Sequence, residues 1–174
     1  MEFVFETVYN QKSLTAMAKA VNKTARKKRS KRSHTLGGIL IVLAIFLSYL
    51  ELKDGFNISF NLIVTWIAAF AMIFALLFEH SINGYFARKR MLSGTEKVKT
   101  IFTQEKYYSE TEIGNTEWNY DKIYMLAETK DYFVFVFSTS HAQVYDKNNL
   151  TGGTVDDFRK FISEVTNKEV ITVK

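Results

Sequence analysis

The chain has no cysteine and no proline among its 174 residues. The absence of cysteine excludes disulfides, thiolate metal sites, lipidated thiols and cysteine nucleophiles. The three histidines, His34, His80 and His141, lie in different segments, and none forms the paired spacing of a metal site. No other grouping of acid, base and nucleophile stands out. We therefore expect no catalytic residue, no metal, no cofactor and no enzymatic activity.

Two long stretches of the chain have one charged side chain or none. Residues 36–52 begin with fifteen uncharged residues before Glu51, and residues 58–78 contain no charge at all. A helix needs about 20 apolar residues to cross the ~30 Å hydrocarbon core of a bilayer. We interpret both stretches as transmembrane helices, because the alternative, two core helices of a soluble protein, seldom gives helices that are apolar on every face. The apolar run starts only at residue 36, so we expect no secretory signal peptide.

Positive charge is concentrated beside these two stretches. Residues 1–35 carry nine Lys and Arg against two acidic residues, whereas residues 91–174 carry ten against thirteen. Short flanks rich in Lys and Arg stay on the cytoplasmic side of a membrane. The pattern predicts a multi-pass protein of the plasma membrane, with both termini cytoplasmic and an outer turn near Asp54 and Gly55. The flanking basic residues are Arg26, Lys27, Lys28, Arg29, Lys31 and Arg32 before the first stretch, and Arg88, Lys89 and Arg90 after the second.

Basic clusters of this kind also occur in proteins that bind nucleic acid or enter the nucleus. Next to a membrane span, however, they face anionic lipid head groups, and each residue contributes about 1 kcal/mol near the surface. We predict that the flanking basic residues set the topology and contact anionic lipids. The expected partners are therefore membrane lipids and not nucleic acid.

The residues before the basic cluster predict a strand and a helix. Residues 2–8 alternate, with Phe3 and Phe5 on one face, which is typical of a half-buried strand. Ser13 is the predicted N-cap of a helix with a narrow apolar stripe, and this helix could run into the first span. Two interpretations of the stripe stay open: it packs on the cytoplasmic domain, or it lies along the membrane surface as a basic amphipathic helix.

After the second apolar stretch the pattern changes to period two. Alternating aromatic and β-branched residues predict a meander of antiparallel strands. Thr154 and Asp157 predict a capping box at the start of a closing helix, and residues 169–174 form either a further strand or a frayed tail. Trp118 is interpreted as a residue that packs in the core or between the domain and the membrane, with a ligand platform as the alternative. The predicted strands cover residues 98–103, 106–110, 117–120, 124–129, 132–137 and 141–145.

These patterns divide the chain into consecutive segments. The predicted fold class is membrane α+β: a two-helix transmembrane hairpin plus a small antiparallel β domain closed by a C-terminal helix. The segments are residues 1–35, an N-terminal strand and basic amphipathic helix; residues 36–78, the hairpin with spans 36–52 and 58–78; residues 79–97, a basic connector; and residues 98–174, the cytoplasmic β domain.

The β domain combines a phenylalanine-bearing strand, a central tryptophan, an acidic turn, an aromatic strand, a lysine before a loop and a closing helix. Its marker residues are Phe102, Trp118, Tyr120, Ile123, Glu128, Thr129, Asp131, Phe133, Val144, Lys147, Phe158 and Phe161. Together with the N-terminal elements and the hairpin, this arrangement resembles the YcxB-like membrane proteins. Where that family usually has isoleucine-proline-lysine, this chain has Tyr145-Asp146-Lys147. The resemblance implies a domain similar to a bacterial pleckstrin-homology-like (PH-like) barrel, and it implies no activity.

Two functions from different classes follow. The first is a membrane-anchored cytoplasmic interaction module that binds a protein partner or a lipid head group. The net charge of −3 for residues 91–174 favours a protein or peptide at its free face, bound for example along an exposed sheet edge. The alternative is a transport or channel subunit that acts as a homo-oligomer. The lack of charge inside the spans speaks against a selective pathway.

Overall fold

The structure is a computed structural model that describes residues 2–53 and 59–174. The chain divides into two compact units. The β unit consists of the N-terminal segment up to Lys27 together with His80–Lys174, and the helical unit is Lys28–Glu79. The β unit is therefore assembled from both sides of the apolar stretches in the sequence.

Helices and strands both contribute to the structure, which confirms the predicted α+β class. The strands are β1 (Phe3–Val8), β2 (Lys97–Phe102), β3 (Lys106–Thr111), β4 (Gly114–Asn119), β5 (Met125–Glu128), β6 (Tyr132–Val136), β7 (Ala142–Asp146), β8 (Leu150–Thr151) and β9 (Val170–Thr172). The helices are α1 (Gln11–Lys23), α2 (Lys27–Leu52), α3 (Phe60–Leu77), α4 (Glu79–Lys89) and α5 (Val155–Thr166), with short 3₁₀ turns at Tyr120–Lys122 and Lys147–Asn149.

The strands form two sheets. The five-stranded sheet has the order β4-β3-β2-β1-β8, and the four-stranded sheet has the order β7-β6-β5-β9. Neighbouring strands are antiparallel except β5 and β9, which run parallel. The expected meander is present as β2-β3-β4 and as β5-β6-β7. The C-terminal residues form the edge strand β9 and not a frayed tail.

Strand β1 lies inside the larger sheet and turns aromatic side chains into the core. Phe3 pairs with Phe102 and Phe5 pairs with Thr100, and both phenylalanines are fully buried, as predicted. The ring of Phe158 on α5 lies 4.6 Å from the ring of Phe5. Burying each such ring stabilises the fold by roughly 1.5–3 kcal/mol. Helix α5 therefore closes an aromatic core between the sheets.

The two amphipathic helices of the β unit begin with capping boxes. At α5 the box is the predicted one: Asp157 N donates to Thr154 Oγ1 at 3.1 Å, and Thr154 N donates to Asp157 Oδ2 at 3.0 Å. At α1 the prediction of Ser13 as N-cap is wrong. Asn10 is the N-cap, since its Oδ1 accepts from Ser13 N at 3.0 Å while Ser13 Oγ accepts from Asn10 N at 2.9 Å. Ser13 thus occupies the third helical position, where its hydroxyl completes the box.

Helix α1 packs on the β unit. Its residues Ala20 and Val21 share a buried cluster with Val134 and Val144 of the smaller sheet, which supports the first of the two interpretations of the apolar stripe. The helix ends at Lys23 and is separate from α2.

Helices α1 and α4 approach each other closely at a glycine. A Cβ atom at Gly84 of α4 would lie 2.6 Å from Thr15 Oγ1 and 2.8 Å from the Thr15 backbone nitrogen. Only glycine fits at this position without movement of the neighbouring helix. This contact fixes the start of the chain against the segment that follows the apolar helices.

Helices α2 and α3 are each long and apolar enough to cross a membrane. Only 11% of the most apolar 18-residue window of each helix is buried, whereas a core helix of a soluble protein buries most of its surface. Within the helical unit, a Cβ atom at Gly37 would lie 2.6 Å from Leu76 Cδ1. The expected outer turn near Asp54 and Gly55 and the expected start of the second span at residue 58 lie outside the described residues.

Candidate functional site

A cavity of about 590 Å³ lies in the β unit beside the end of β5 and the start of β6. Helix α1 forms one wall, and the C-terminal residues after β9 form another. We call it the basic cavity because its lining includes six cationic side chains and only two carboxylates. The cations are those of Lys12, Lys19, Lys130, Lys147, Arg159 and Lys174, and the carboxylates are those of Glu128 and Asp131.

Glu128, the last residue of β5, organises the floor of the basic cavity. Lys147 Nζ lies 2.5 Å from Glu128 Oε1. Arg159 of α5 binds the same carboxylate with both sides of its guanidinium, Nε to Oε2 and Nη2 to Oε1, each at 2.7 Å. A bidentate guanidinium–carboxylate pair fixes orientation as well as charge. The three side chains thus join β5, the 3₁₀ turn after β7 and α5.

The ionisation of Glu128 follows from these contacts. Burial alone would raise the pKa of this carboxyl, but the hydrogen bonds from Arg159 and Lys147 outweigh burial and lower the pKa below its ordinary value. Lys147 Nζ also donates to the carbonyl oxygen of Thr129 at 2.7 Å. Glu128 is therefore a carboxylate at neutral pH, and its two cationic neighbours are held in place by it.

A second ion pair borders the cavity. Lys12 Nζ of α1 lies 2.7 Å from Asp131 Oδ2 in the turn between β5 and β6. The hydrogen bond from Lys12 lowers the pKa of Asp131 below its ordinary value. The Lys12 side chain remains 68% exposed, so solvent screens this pair and leaves it weak. A ligand could therefore draw Lys12 away from Asp131 at little cost.

The remaining cations are available to a ligand. Lys19, Lys130 and Lys174 have no acidic partner within ion-pair distance among the residues that the structure describes. Lys130 and Lys174 are exposed and Lys19 is half-buried. Arg159 Nη1 also pairs with Asp156 in the first turn of α5, so Glu128 and Asp156 together balance Lys147 and Arg159. The excess of positive charge at the cavity therefore comes from Lys19, Lys130 and Lys174. Such a site attracts anions, and phosphate groups most strongly.

The residues predicted to contact lipid lie elsewhere. Arg26 donates a hydrogen bond from Nε to the carbonyl oxygen of Thr139, in the loop between β6 and β7. The other predicted lipid contacts are exposed: Lys27, Lys28, Arg29, Lys31 and Arg32 occupy the first turns of α2, and Arg88, Lys89 and Arg90 lie at the end of α4. None of the nine lines the basic cavity.

Part of the chain, including much of the basic cavity, matches a known protein family. Residues 102–162 match the model of the YcxB-like proteins. The chain contains a YcxB-like segment. The match confirms the resemblance expected from the marker residues, and no curated protein or solved structure matches the chain.

The YcxB-like segment supplies only part of the basic cavity. Glu128 and Lys147 are marker residues of the resemblance, and together with Arg159 they lie inside the matched range. Lys12 and Lys19 come from α1, outside that range. The sequence gives no local signal for the site, because its cations are spread from residue 12 to residue 174 and meet only through the pairing of distant elements.

The described residues contain no group of three His, Cys, Asp or Glu side chains that could hold a metal ion. The carboxylates of the basic cavity are each bonded to a cation, at Lys147 and Arg159 for Glu128 and at Lys12 for Asp131. The chemistry that this arrangement supports is the binding of an anion.

Proposed function

We propose that the protein is a membrane-anchored interaction module whose β unit binds a phosphate-bearing ligand in the basic cavity. The observation that carries the proposal is the charge of this cavity, six cations against two carboxylates. Its volume of about 590 Å³ falls in the range of small-molecule sites, about 300–1,000 Å³. A phosphate group or a phospholipid head group fits both the size and the charge.

The anchor in this proposal is the pair of helices α2 and α3. They span the plasma membrane as a hairpin, with both chain termini and the β unit in the cytoplasm, because the basic flanks stay on that side. The basic residues beside these helices contact anionic lipid head groups. They are Arg26, then Lys27, Lys28, Arg29, Lys31 and Arg32 on α2, Arg88 and Lys89 on α4, and Arg90 directly after α4. The β unit then works next to the inner leaflet.

The β unit is in this view a PH-like domain. Two sheets with consecutive antiparallel strands and a closing C-terminal helix support this assignment, and so does the YcxB-like segment. The net charge of −3 for residues 91–174 favoured a protein partner. The local excess of positive charge in the basic cavity favours an anionic ligand at this site instead, since binding follows local potential and not the domain average.

Binding of pyrophosphate to the full chain in phosphatidylcholine nanodiscs tests the proposal by calorimetry. The variant is the double substitution Lys19→Ala and Lys130→Ala, which removes two unpaired cations from the cavity. The matched control, Lys97→Ala with Lys99→Ala, removes two exposed lysines of β2 that lie outside it. We expect at least a ten-fold loss of affinity in the first variant and less than a two-fold change in the control.

Equal losses in both double variants, or no saturable binding by the unaltered chain, would contradict the proposal. A second arm identifies the source of the phosphate. If the ligand is a lipid head group, nanodiscs that contain phosphatidylglycerol compete with pyrophosphate, and the competition is weaker in the K19A/K130A variant. If it is a soluble metabolite, the anionic nanodiscs leave the pyrophosphate affinity unchanged apart from the screening seen in the control.

A further inference from the structure

A second cavity, of about 630 Å³, lies in the β unit on the inner face of the five-stranded sheet. Strands β2, β3, β4 and β7 line it together with α1 and the end of α4. It shares no lining residue with the basic cavity. We call it the hydroxyl cavity because the hydroxyl-bearing residues Thr100, Ser109 and Thr116 line it.

The inner face of the sheet changes character at this cavity. Thr100 pairs with Ser109, and Ser109 pairs with Thr116, so the three hydroxyls form one inward row across β2, β3 and β4. The next inward row on the same strands is Phe102, Tyr107 and Trp118. The Thr100 and Ser109 hydroxyl oxygens lie 3.3 Å apart and both residues are buried. The inner face of the sheet is therefore polar in this row and aromatic in the next, with the exposed Thr116 hydroxyl at the open end of the polar row.

Aromatic rings form the adjoining wall. The ring of Trp118 stacks on that of Tyr107, with centroids 6.3 Å apart and planes 12° apart, and on the ring of His141 at 5.7 Å and 29°. Trp118 Nε1 is buried and has no hydrogen-bond partner among the described residues. Flat rings next to hydrogen-bonding groups are typical of sites for small planar molecules.

The charge at the hydroxyl cavity has one sign. Arg90 is an exposed cationic lining residue, and no Asp or Glu occurs among the described residues that line the cavity. The Gln143 side chain adds a polar group, although its Oε1 already accepts from Tyr145 Oη at 2.6 Å. A ligand that carries one negative charge therefore meets Arg90 without repulsion from a carboxylate.

We infer that the hydroxyl cavity binds a small aromatic carboxylate. The planar body lies against the aromatic wall of Trp118 and His141, the carboxylate is drawn to the charge of Arg90, and further polar atoms bond to the hydroxyl row. Arg90 also belongs to the basic flank, so in this inference the ligand and anionic lipid compete for it, and membranes of phosphatidylcholine leave it to the ligand. The assignment is independent of the phosphate-bearing ligand of the basic cavity, because the two cavities share no lining residue.

Trp118 itself reports on the cavity. The chain has two tryptophans, so Trp66→Phe leaves Trp118 as the sole indole. We would titrate this chain, in phosphatidylcholine nanodiscs, with 2-naphthoate and with its uncharged counterpart 2-naphthylmethanol while following Trp118 emission. We expect saturable quenching by 2-naphthoate. Substituting Arg90→Ala should weaken naphthoate binding several-fold and leave the binding of the alcohol within two-fold.

A matched pair of substitutions on β4 separates binding in the cavity from partition into lipid. Thr116→Phe fills the cavity from an inward but solvent-exposed position, and Asn115→Phe places the same ring on the outward side of the same strand. We expect Thr116→Phe to reduce naphthoate affinity at least ten-fold and Asn115→Phe to leave it within two-fold. The inference is overturned if the two variants bind naphthoate alike or if quenching does not saturate, since both results are expected of a cavity that holds only water. It is also overturned if the alcohol binds as tightly as the acid, since Arg90 would then not recognise a carboxylate.

Discussion

Arg159 and Glu128 form a bidentate ion pair, with nitrogen–oxygen distances of 2.7 Å on both sides, that ties α5 to the end of β5. Glu128 is 8% exposed, and Lys147 approaches the same carboxylate from the 3₁₀ turn after β7. One buried acid thus holds two cations that also line the basic cavity. The pair therefore connects the stability of the β unit with the charge of its candidate site.

Substituting Glu128→Gln should destabilise the β unit by about 3 kcal/mol, because it leaves the largely buried Lys147 without its counter-charge. The effect should depend on pH. The pKa of Glu128 is lowered in the folded state, so its stabilisation is present above the ordinary carboxyl pKa and is lost as the pH falls through the lower, folded-state value. Denaturant unfolding between pH 3 and 7, followed by Trp118 fluorescence in the Trp66→Phe chain, measures both quantities.

The control for this substitution is Asp121→Asn. Asp121 pairs with Lys122 at 3.0 Å, but both side chains are more than 60% exposed, and such pairs contribute less than about 1 kcal/mol. If the Glu128→Gln chain is as stable as the Asp121→Asn control, the ion cluster does not stabilise the fold. The same conclusion follows if Glu128→Gln lowers the unfolding free energy of the unaltered chain by the same amount at pH 3 and at pH 7.

Local signals in the sequence explain which elements could be predicted. Alternating side chains gave Phe3 and Phe5 a common face, and the pair Thr154 and Asp157 marked the start of α5, because both patterns act over a few residues. The start of α1 was misplaced since Asn10 and Ser13 are both good capping residues. Only the contacts of the folded helix show which of the two residues is the N-cap and which one accepts the returning hydrogen bond from the N-cap backbone.

Tyr9 supplies an acceptor to β7, an edge strand of the smaller sheet. Its hydroxyl oxygen accepts a hydrogen bond from Val144 N of β7 at 3.4 Å. Tyr9→Phe leaves this backbone donor unsatisfied and should cost about 1–3 kcal/mol of unfolding free energy. Tyr85→Phe, at a side chain 56% exposed, should change stability by less than about 0.5 kcal/mol. Thermal unfolding of both variants makes the comparison, and equal melting temperatures would remove the role assigned to the Tyr9 hydroxyl.

The same substitution has a consequence at alkaline pH. Burial raises the pKa of Tyr9 from its ordinary value of 10.0 to about 12. A raised pKa stabilises the fold fully below the unfolded-state value and loses that contribution as the pH rises through the folded-state value. The unfolding free energy should therefore decline less steeply between pH 10 and 12 in Tyr9→Phe than in the unaltered chain. An unchanged slope would place the Tyr9 hydroxyl in solvent.

Gly84→Ala tests the contact between α1 and α4. In an open helix this change stabilises by about 1 kcal/mol. Here the new Cβ would lie 2.8 Å from the Thr15 backbone nitrogen, and overpacking of this kind costs about 1–3 kcal/mol. We expect a lower melting temperature for the β unit. Gly38→Ala is the control, since a Cβ at Gly38 has no neighbour within 4 Å; a stabilised Gly84→Ala chain would mean that the helices are farther apart.

The candidate sites could not be predicted from the sequence, for a physical reason. Lys19 and Lys130 lie more than a hundred residues apart and reach one cavity only because α1 packs on the smaller sheet. The hydroxyl row depends on register: Thr100, Ser109 and Thr116 align only when β2, β3 and β4 pair as they do. Of the residues that line the hydroxyl cavity, Trp118 alone had ligand binding among its interpretations from the sequence, because tryptophan is conspicuous in any sequence.

The proposed topology makes a prediction that the cysteine-free chain allows to be tested directly. Single cysteines at Ser59 and Glu110 should behave in opposite ways toward a membrane-impermeant maleimide. Ser59 caps α3 beside the expected outer turn, and Glu110 is an exposed residue of β3. We expect Ser59→Cys to be labelled on intact cells and Glu110→Cys to be labelled only after permeabilisation, because the basic flanks keep the β unit in the cytoplasm.

Labelling of Glu110→Cys on intact cells would place the β unit outside the cell. Protection of both positions in intact cells, with labelling of both after permeabilisation, would mean that α2 and α3 do not cross the bilayer. In that case the β unit would not be anchored at the inner leaflet, and soluble phosphates would become the first candidates for the ligand of the basic cavity.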